Sequence, residues 1–230
     1  MRIVVTAGPT REYLDPVRFL SNPSTGKMGF AIAAEAARRG HEVALVAGPV
    51  ALKTPDGVHR VDVTSAREML AAVKDLVGRA VPVRHGGRGP TALPSSTVLV
   101  ATAAVADWRP AKCAAKKIKK GEMSPTLKLV RNPDILKTIN QAIRRSDNRT
   151  IRLVGFAAET NDVLKEAARK CREKGLSFIV ANDVSEKGCG FGTDTNRVTF
   201  VFPDGTMRKF PLMTKRLVAR RILEEVENEK

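Results

Sequence analysis

The residues of this chain that could do chemistry gather just after its short apolar runs. Ile3-Val4-Val5-Thr6 is followed by Gly8-Pro9-Thr10-Arg11, then by Arg18 and by Ser21-Asn22-Pro23-Ser24-Thr25-Gly26-Lys27-Met28-Gly29. Small residues with free backbone N–H groups at a helix start suit an anion, helped by the helix dipole. A bare helix cap is the competing reading. The segment is neither a P-loop, because GxxxxGKS/T is absent, nor a GxGxxG dinucleotide fingerprint. After Thr97-Val98-Leu99-Val100-Ala101 come Thr102-Ala103-Ala104-Val105-Ala106-Asp107-Trp108. These small residues let a ligand approach the backbone. Asp107 offers a carboxylate to a metal or a sugar hydroxyl, or else serves as a cap or ion-pair partner in the loop.

Lys116-Lys117-Ile118-Lys119-Lys120 is either a solvated charged face or a set of cations that neutralise a transferring phosphoryl group. Arg131-Asn132-Pro133-Asp134 falls at a loop-to-helix junction, where Asn132 or Asp134 is also a candidate cap. Lys170 and Lys174 are four apart and share one face of a predicted helix. If several of these basic groups converge on the same strand ends, they form a triphosphate site. The sequence has no serine elbow, no HExxH and no paired histidine ligands. His41, His59 and His85 are scattered and read as structural or solvated. Cys171 reads as packed inside a helix, and Cys113 and Cys189 have no visible activating partner. Chemistry run by positioning and electrostatics fits this inventory better than a protein nucleophile.

The elements that must position these residues alternate along the chain. A buried strand at the start leads through a turn to a helix over 26–39, stopped by Gly40, and to a second strand over 43–47 closed by Gly48-Pro49. This is a parallel βαβ opening. A strand over 58–63 precedes a helix over 66–77 capped by Thr64-Ser65. A strongly apolar strand over 97–101 follows, then a helix over 133–143 with Pro133 in its first turn. Strand 153–156, helix 163–173 and strand 178–181 continue the pattern. A hairpin over 197–202 and 209–212, turning at Pro203-Asp204-Gly205-Thr206, and an amphipathic helix over 215–228 end it. The pattern predicts a single α/β domain over 1–230. Its core is one doubly wound, mostly parallel sheet, Rossmann-like, with helices on both faces and a C-terminal hairpin. Ligands of such sheets bind beyond the carboxyl ends of the strands. The Gly-, Pro- and Arg-rich stretch 79–96 reads as a surface loop, and 112–122 as a mobile basic flap.

The 230 residues include 40 Lys and Arg against 24 Asp and Glu, a net charge of +16. Such a surface attracts polyanions, whether nucleic acid, nucleotides or phosphorylated metabolites. Aromatic residues make up only 4%, too few for the usual stacking platforms of single-stranded nucleic acid. The charge is spread along the chain rather than gathered in a tail. No apolar run is long enough to span a membrane. No secretory pattern is visible at the start, and three cysteines without a CxxC pair fit a reducing cytosol. The expectation is therefore a cytoplasmic protein with no membrane or nucleic-acid partner. A nicotinamide-dependent oxidoreductase and a nucleic-acid-binding module are the alternatives. The missing GxGxxG weakens the first, and the scarce aromatics weaken the second.

The wording of the segments is more specific than their spacing. TAGPTREYLDPVRFLSNPSTGKMGFAIAAEAARRGHEV, ATAAVADWRP, KKIKK, LVRNPDIL, LVGFAAET and VANDVSEKGCGFGTDTNRVTF occur in that order between about residues 2 and 226. Together they closely resemble phosphopantothenoylcysteine synthetase, in many bacteria the C-terminal half of a bifunctional coenzyme A biosynthesis flavoprotein. The resemblance implies a ligase that activates 4′-phosphopantothenate with a nucleoside triphosphate and joins the acyl-nucleotide to cysteine. It implies a catalytic Asn22 supported by Arg18, and Lys117 as the flap lysine of acyl-nucleotide formation. It places Gly8, Asn22 and Ala104 with the substrate. It places Ala101, Thr102, Ala103, Asp107, Lys117, Pro133, Asp134, Ile135, Leu136, Phe156, Lys170 and Lys174 with the nucleotide. Asp107 is also the candidate for a divalent metal such as Mg²⁺. NPDIL and GFAAET are the bacterial wording, which implies CTP rather than ATP. The flavin-binding half is missing, so no FMN is expected, and a homodimer is implied by the resemblance alone. The stretch 79–96 is longer and more basic than the family usually has there.

Overall fold

A computed structural model describes residues 1–78, 96–122, 126–146, 151–159, 162–186 and 188–228. His85 and the expected loop 79–96, apart from Ser96, lie outside the described residues. In chain order the elements are β1 (Arg2–Ala7), β2 (Arg11–Tyr13), β3 (Phe19–Ser21), α1 (Lys27–Arg38), β4 (Glu42–Ala47), β5 (Val58–Asp62), α2 (Ala66–Gly78) and β6 (Thr97–Ala101). Then come β7 (Trp108–Pro110), β8 (Leu129–Arg131), α3 (Ile135–Ser146), β9 (Ile151–Glu159), α4 (Val163–Glu173) and β10 (Phe178–Asp183). The last are β11 (Thr195–Asn196), β12 (Val198–Val201), β13 (Met207–Lys209), β14 (Met213–Thr214) and α5 (Lys215–Asn228).

Eight strands form one sheet in the order β13-β12-β10-β9-β6-β1-β4-β5. From β10 to β5 all neighbours are parallel, and β12 and β13 close one edge antiparallel. The chain winds outward from β1 to β4 and β5, then returns to the other side of β1 for β6, β9 and β10. The strand order therefore reverses between β1 and β6, and the loops leaving these two strands diverge to open a crevice. This is the expected doubly wound fold.

Alternation along the strands sends side chains to two cores. Ile3, Val5 and Ala7 of β1 pack with Phe30, Ile32 and Ala33 of α1 and with Val218, Ile222 and Leu223 of α5. Val4 faces the opposite side, among Met69 and Val73 of α2, Ile135 and Ile139 of α3, and Ala167 and Cys171 of α4. Helices thus cover both faces, two on one and three on the other. Each fully buried aliphatic side chain contributes roughly 1.5–3 kcal/mol against about 0.5–1.5 kcal/mol for a hydrogen bond, so these layers dominate the stability. Burial also pushes the Cys171 thiol up to about 11, which keeps it protonated and inert. No helix among the described residues is long and apolar enough to cross a membrane.

Local signals set the helix ends. At α2 the Glu68 carboxylate accepts from the Thr64 N–H at 2.8 Å, and the Ser65 hydroxyl accepts from the Glu68 N–H at 3.3 Å, a capping box. The third helix departs from expectation. It begins at Ile135, and Asp134 is its cap, accepting from the Lys137 N–H at 3.0 Å, which leaves Pro133 outside the first turn. Three ribbons of two or three residues per strand, β2–β3, β7–β8 and β11–β14, stand outside the main sheet and were not expected. Helix α1 lies unusually close to the sheet at Gly29, where a Cβ would come within 2.5 Å of the Ala7 Cβ and 2.6 Å of the Thr102 hydroxyl.

The far end of α1 is tied to α5 by charge. Buried Glu35 binds Arg38 at 2.7 Å and Arg39 at 2.9 Å, Arg39 reaches Glu227 at 2.6 Å, and His41 meets Glu227 at 2.8 Å. The Arg38 guanidinium, opposed by burial and helped by Arg39, holds the Glu35 carboxyl down from 4.5 to about 2. A lowered folded-state value means that the ionised group stabilises the fold fully above about pH 4.5 and loses that contribution as pH falls towards 2. Glu35→Gln should therefore lower stability at neutral pH and flatten its decline between those two pH values. Urea unfolding across that range checks this, and equal slopes for the two proteins would refute it.

Candidate functional site

The segments leaving β1 and β6 run side by side beyond the sheet. The Thr6 carbonyl accepts from both the Thr102 N–H at 3.2 Å and the Thr102 hydroxyl at 2.6 Å, and the Thr6 hydroxyl accepts from the Ala103 N–H at 3.2 Å. Further out the Ala104 N–H donates to the Gly8 carbonyl at 2.9 Å and the Thr10 N–H donates to the Ala104 carbonyl at 3.3 Å. The Ala106 N–H donates to the Thr10 hydroxyl at 3.0 Å. This lacing satisfies the backbone of both loops where the sheet no longer can. It forms the floor of a cleft of about 600 Å³, a size typical of small-molecule sites.

Asn22, Ala101, Thr102, Ala103, Ala104, Asp107, Pro133, Asp134, Ile135, Leu136, Phe156, Lys170 and Lys174 all line this cleft. Asn22 is fixed there because its Nδ2 donates to the Ala104 carbonyl at 3.0 Å. The far wall is the junction of β8 and α3. There Asn132 Nδ2 donates to the Ala106 carbonyl at 2.8 Å, and the Asn132 N–H donates to the Asp107 carbonyl at 2.8 Å. Lys174, at the C-terminus of α4, reaches Asp134 at 2.8 Å. Burial would raise the Asp134 carboxyl, but the Lys137 N–H and the Lys174 ammonium outweigh it and hold the group below its usual value. Asp134 is thus an ionised helix cap whose charge Lys174 balances. Asp107 is exposed at the mouth. Arg131 also lines the cleft, with its guanidinium 5.2 Å from the centre of the Trp108 ring.

Three expected site residues stand apart from this lining. Gly8 lies beneath it, as an acceptor in the lacing. Arg18 binds Asp15 and the Ile118 carbonyl, the latter at 2.8 Å. Lys117 is exposed on the expected basic flap 112–122, where Arg18 donates to the Ile118 carbonyl and Asp15 accepts from the Ile118 N–H.

A second, smaller cavity of about 70 Å³ adjoins the cleft across Thr102, Phe156 and Phe191. The start of α1, from Ser24 to Gly29, lines it together with Asn182, Asn196 and Lys215. Lys215 is buried and donates to the carbonyls of Gly190 at 3.3 Å, Phe191 at 3.2 Å and Thr193 at 2.6 Å. Desolvation, with Lys27 nearby, depresses its pKa. The buried Asn182 Oδ1 has no hydrogen-bond partner among the described residues, while its Nδ2 donates to the Cys189 carbonyl at 2.9 Å. A helix N-terminus and a buried ammonium favour an anionic group in this cavity, whereas the orphaned Asn182 oxygen is an acceptor open to a donor. Sequence reasoning flagged 21–29 but missed Asn182, Phe191 and Lys215. An asparagine ending an apolar strand and a lysine opening a helix look ordinary in sequence.

Strand order and cleft together define a doubly wound α/β protein with a cleft of small-molecule size at its switch point. The chain belongs to the family described as the C-terminal domain of DNA/pantothenate metabolism flavoproteins, which matches residues 1–83 and 89–229. It is 45% identical over 229 residues to the coenzyme A biosynthesis bifunctional protein CoaBC of Escherichia coli strain K12, a match covering 98% of this chain and 51% of that protein. The Bacillus subtilis strain 168 protein of the same name is 43% identical over 225 residues, covering 97% of this chain and 50% of that one. The chain therefore spans about half the length of the curated relatives it matches. The crystal structure of the C-terminal domain of CoaBC aligns with a TM-score of 0.74 at 41% identity, covering 98% of this chain and 93% of that one. A Cab2 mutant in complex with phosphopantothenate-cysteine shares the fold, with a TM-score of 0.72 at 15% identity over 98% of this chain and 86% of that one.

Proposed function

We propose that this chain is a phosphopantothenate–cysteine ligase that uses CTP. One observation carries the reading. The residues that the family resemblance assigns to the nucleotide, drawn from four separate stretches of sequence, line one cleft at the switch point, Lys117 excepted. In the first step a carboxylate oxygen of phosphopantothenate attacks the α-phosphorus of CTP. The bond to the bridging oxygen breaks and pyrophosphate leaves, giving an acyl-cytidylate. In the second step the cysteine amine attacks the acyl carbon, the C–N bond forms, CMP leaves with the C–O electron pair, and the nitrogen loses a proton.

No protein nucleophile is needed, so the task of the chain is to hold two anions together and exclude water. Asn22, locked by the Ala104 carbonyl, orients the acyl phosphate against the small residues 102–104, which allow close approach to the backbone. Lys170 and Lys174 offset phosphate charge from α4. The flap lysine Lys117 supplies a further cation to the first transition state. Mg²⁺ is held in nucleotide sites by one or two carboxylates and the substrate phosphates. Asp107 would provide that carboxylate at the mouth, since Asp134 is paired with Lys174. When bound, the metal would screen the phosphate charge. The homodimer and the cytoplasmic location expected from the sequence belong to the same proposal.

Purified protein given Mg²⁺, cysteine and phosphopantothenate should release pyrophosphate from CTP and not from ATP. Release that ignores phosphopantothenate, or requires ATP, would contradict the proposal. Asn22→Asp places a carboxylate beside the acyl phosphate and should slow turnover by about a hundredfold, the scale of losing one transition-state donor. Lys117→Gln should slow the burst of acyl-cytidylate while the circular dichroism stays unchanged. Wild-type rates in either variant would remove that residue from the mechanism.

A further inference from the structure

We propose that Asp15 is a positioning residue that sets the flap lysine, Lys117, by clasping the backbone of its neighbour Ile118. The inference rests on the reading of Lys117 given above. Asp15 sits in the bend between β2 and β3 and is fully buried. Its Oδ1 accepts from the N–H groups of Val17 and Arg18, both at 2.9 Å, which folds the bend around the carboxylate. Its Oδ2 accepts from Arg18 Nε at 3.0 Å and from the Ile118 N–H at 3.2 Å, across 103 residues of sequence. Arg18 completes the clasp by donating from Nη2 to the Ile118 carbonyl at 2.8 Å. Both polar groups of one flap residue are therefore held by one ion pair. A second tie joins the same two segments, the Ala114 N–H donating to the Leu14 carbonyl at 2.8 Å.

The placement links the clasp to the cleft. Ser21 ends β3 and anchors it by donating from its hydroxyl to the Thr10 carbonyl at 2.8 Å, and Asn22 follows directly on the cleft wall. The ribbon is thus a strut with the acyl-phosphate residue at its base and the flap anchor at its tip. The Asp15 carboxylate has acceptor sites left beside Arg18, and the Ile118 N–H fills one of them from a remote segment. Lys117 cannot wander far when the peptide next to it is fixed by a charge-assisted bond. Asp15 touches no cleft ligand, so it acts only through the flap.

The test compares the wild-type full chain with Asp15→Asn and with Ile118→Pro, which removes the N–H that Asp15 receives and leaves the buried ion pair intact. Brief trypsin digestion is read by mass spectrometry after Lys116, Lys119 and Lys120, since trypsin does not cut Lys117 from the proline that follows it in Ile118→Pro, and normalised to cleavage after Arg38 in α1. Both variants should raise the normalised flap cleavage about tenfold, the scale of one lost hydrogen bond to a charged group. Pyrophosphate release should lose about tenfold in kcat with an unchanged KM for cysteine. Asp15→Asn combined with Lys117→Gln should be no slower than Lys117→Gln alone. Unchanged flap cleavage, or losses that multiply in the double variant, would overturn the role of Asp15. Full-rate release by Lys117→Gln alone would instead remove the reading of Lys117, and the digestion would still report whether the clasp holds the flap.

Discussion

The whole site depends on the lacing of the two chain segments that leave β1 and β6. Thr6, Gly8 and Thr10 on one side pair with Thr102, Ala103, Ala104 and Ala106 on the other. Parallel strands that diverge at a switch point normally leave backbone groups exposed at the crevice, and those groups must find partners. Here each segment supplies the other, so the floor is a rigid backbone surface built from residues too small to obstruct a ligand. Side chains then need only short reaches. Asn22 is locked by the Ala104 carbonyl and Asn132 by the Ala106 carbonyl, so both walls are hung from the same loop.

Charge is organised on top of that frame. Many basic side chains are matched by carboxylates at the surface, such as Arg169 by Glu166 and Glu173, and Arg220 and Arg221 by Glu224. Pairs of this kind are worth little each, about 0–1 kcal/mol, and they do not define a site. The cations at the cleft differ because low-dielectric walls focus their field on one volume. Lys174 is held by Asp134, which itself caps α3, so the position of that ammonium is fixed by a helix start rather than by a flexible stem. In the smaller cavity Lys215 is hydrogen-bonded to carbonyl oxygens rather than to a carboxylate, which leaves a positive charge beside the start of α1.

The sheet and its helices were legible because strong local signals agreed. Continuous apolar runs mark the parallel strands, Gly40 stops α1, and the 3.6-residue period fixes α4 and α5 at their observed bounds. The handed winding of βαβ units then leaves few topologies, and the switch point follows. The start of α3 was misplaced because proline suits both the first turn and the residue before a cap, and only the Asp134 bond to the Lys137 N–H separates these. The short ribbons were missed because two or three residues carry no periodicity. The tether between Asp15 and Ile118 was invisible for the same reason that it matters, since it joins segments that only the fold brings together. Of the expected site residues, those on strand ends and helix starts line the cleft. Lys117 and Arg18 do not line the cleft, because their positions are set by the ribbon and not by the sheet.

The proposed reaction activates a carboxylate at the α-phosphate of CTP in the cleft. The most direct test labels the carboxylate of phosphopantothenate with isotopically heavy oxygen and follows the label through one turnover with CTP and cysteine. Attack at the α-phosphorus followed by amide formation leaves one labelled oxygen in CMP, visible as a mass shift of the nucleotide and none in pyrophosphate. Label in inorganic phosphate with unlabelled nucleotide product would mean activation at the terminal phosphate and would contradict this account.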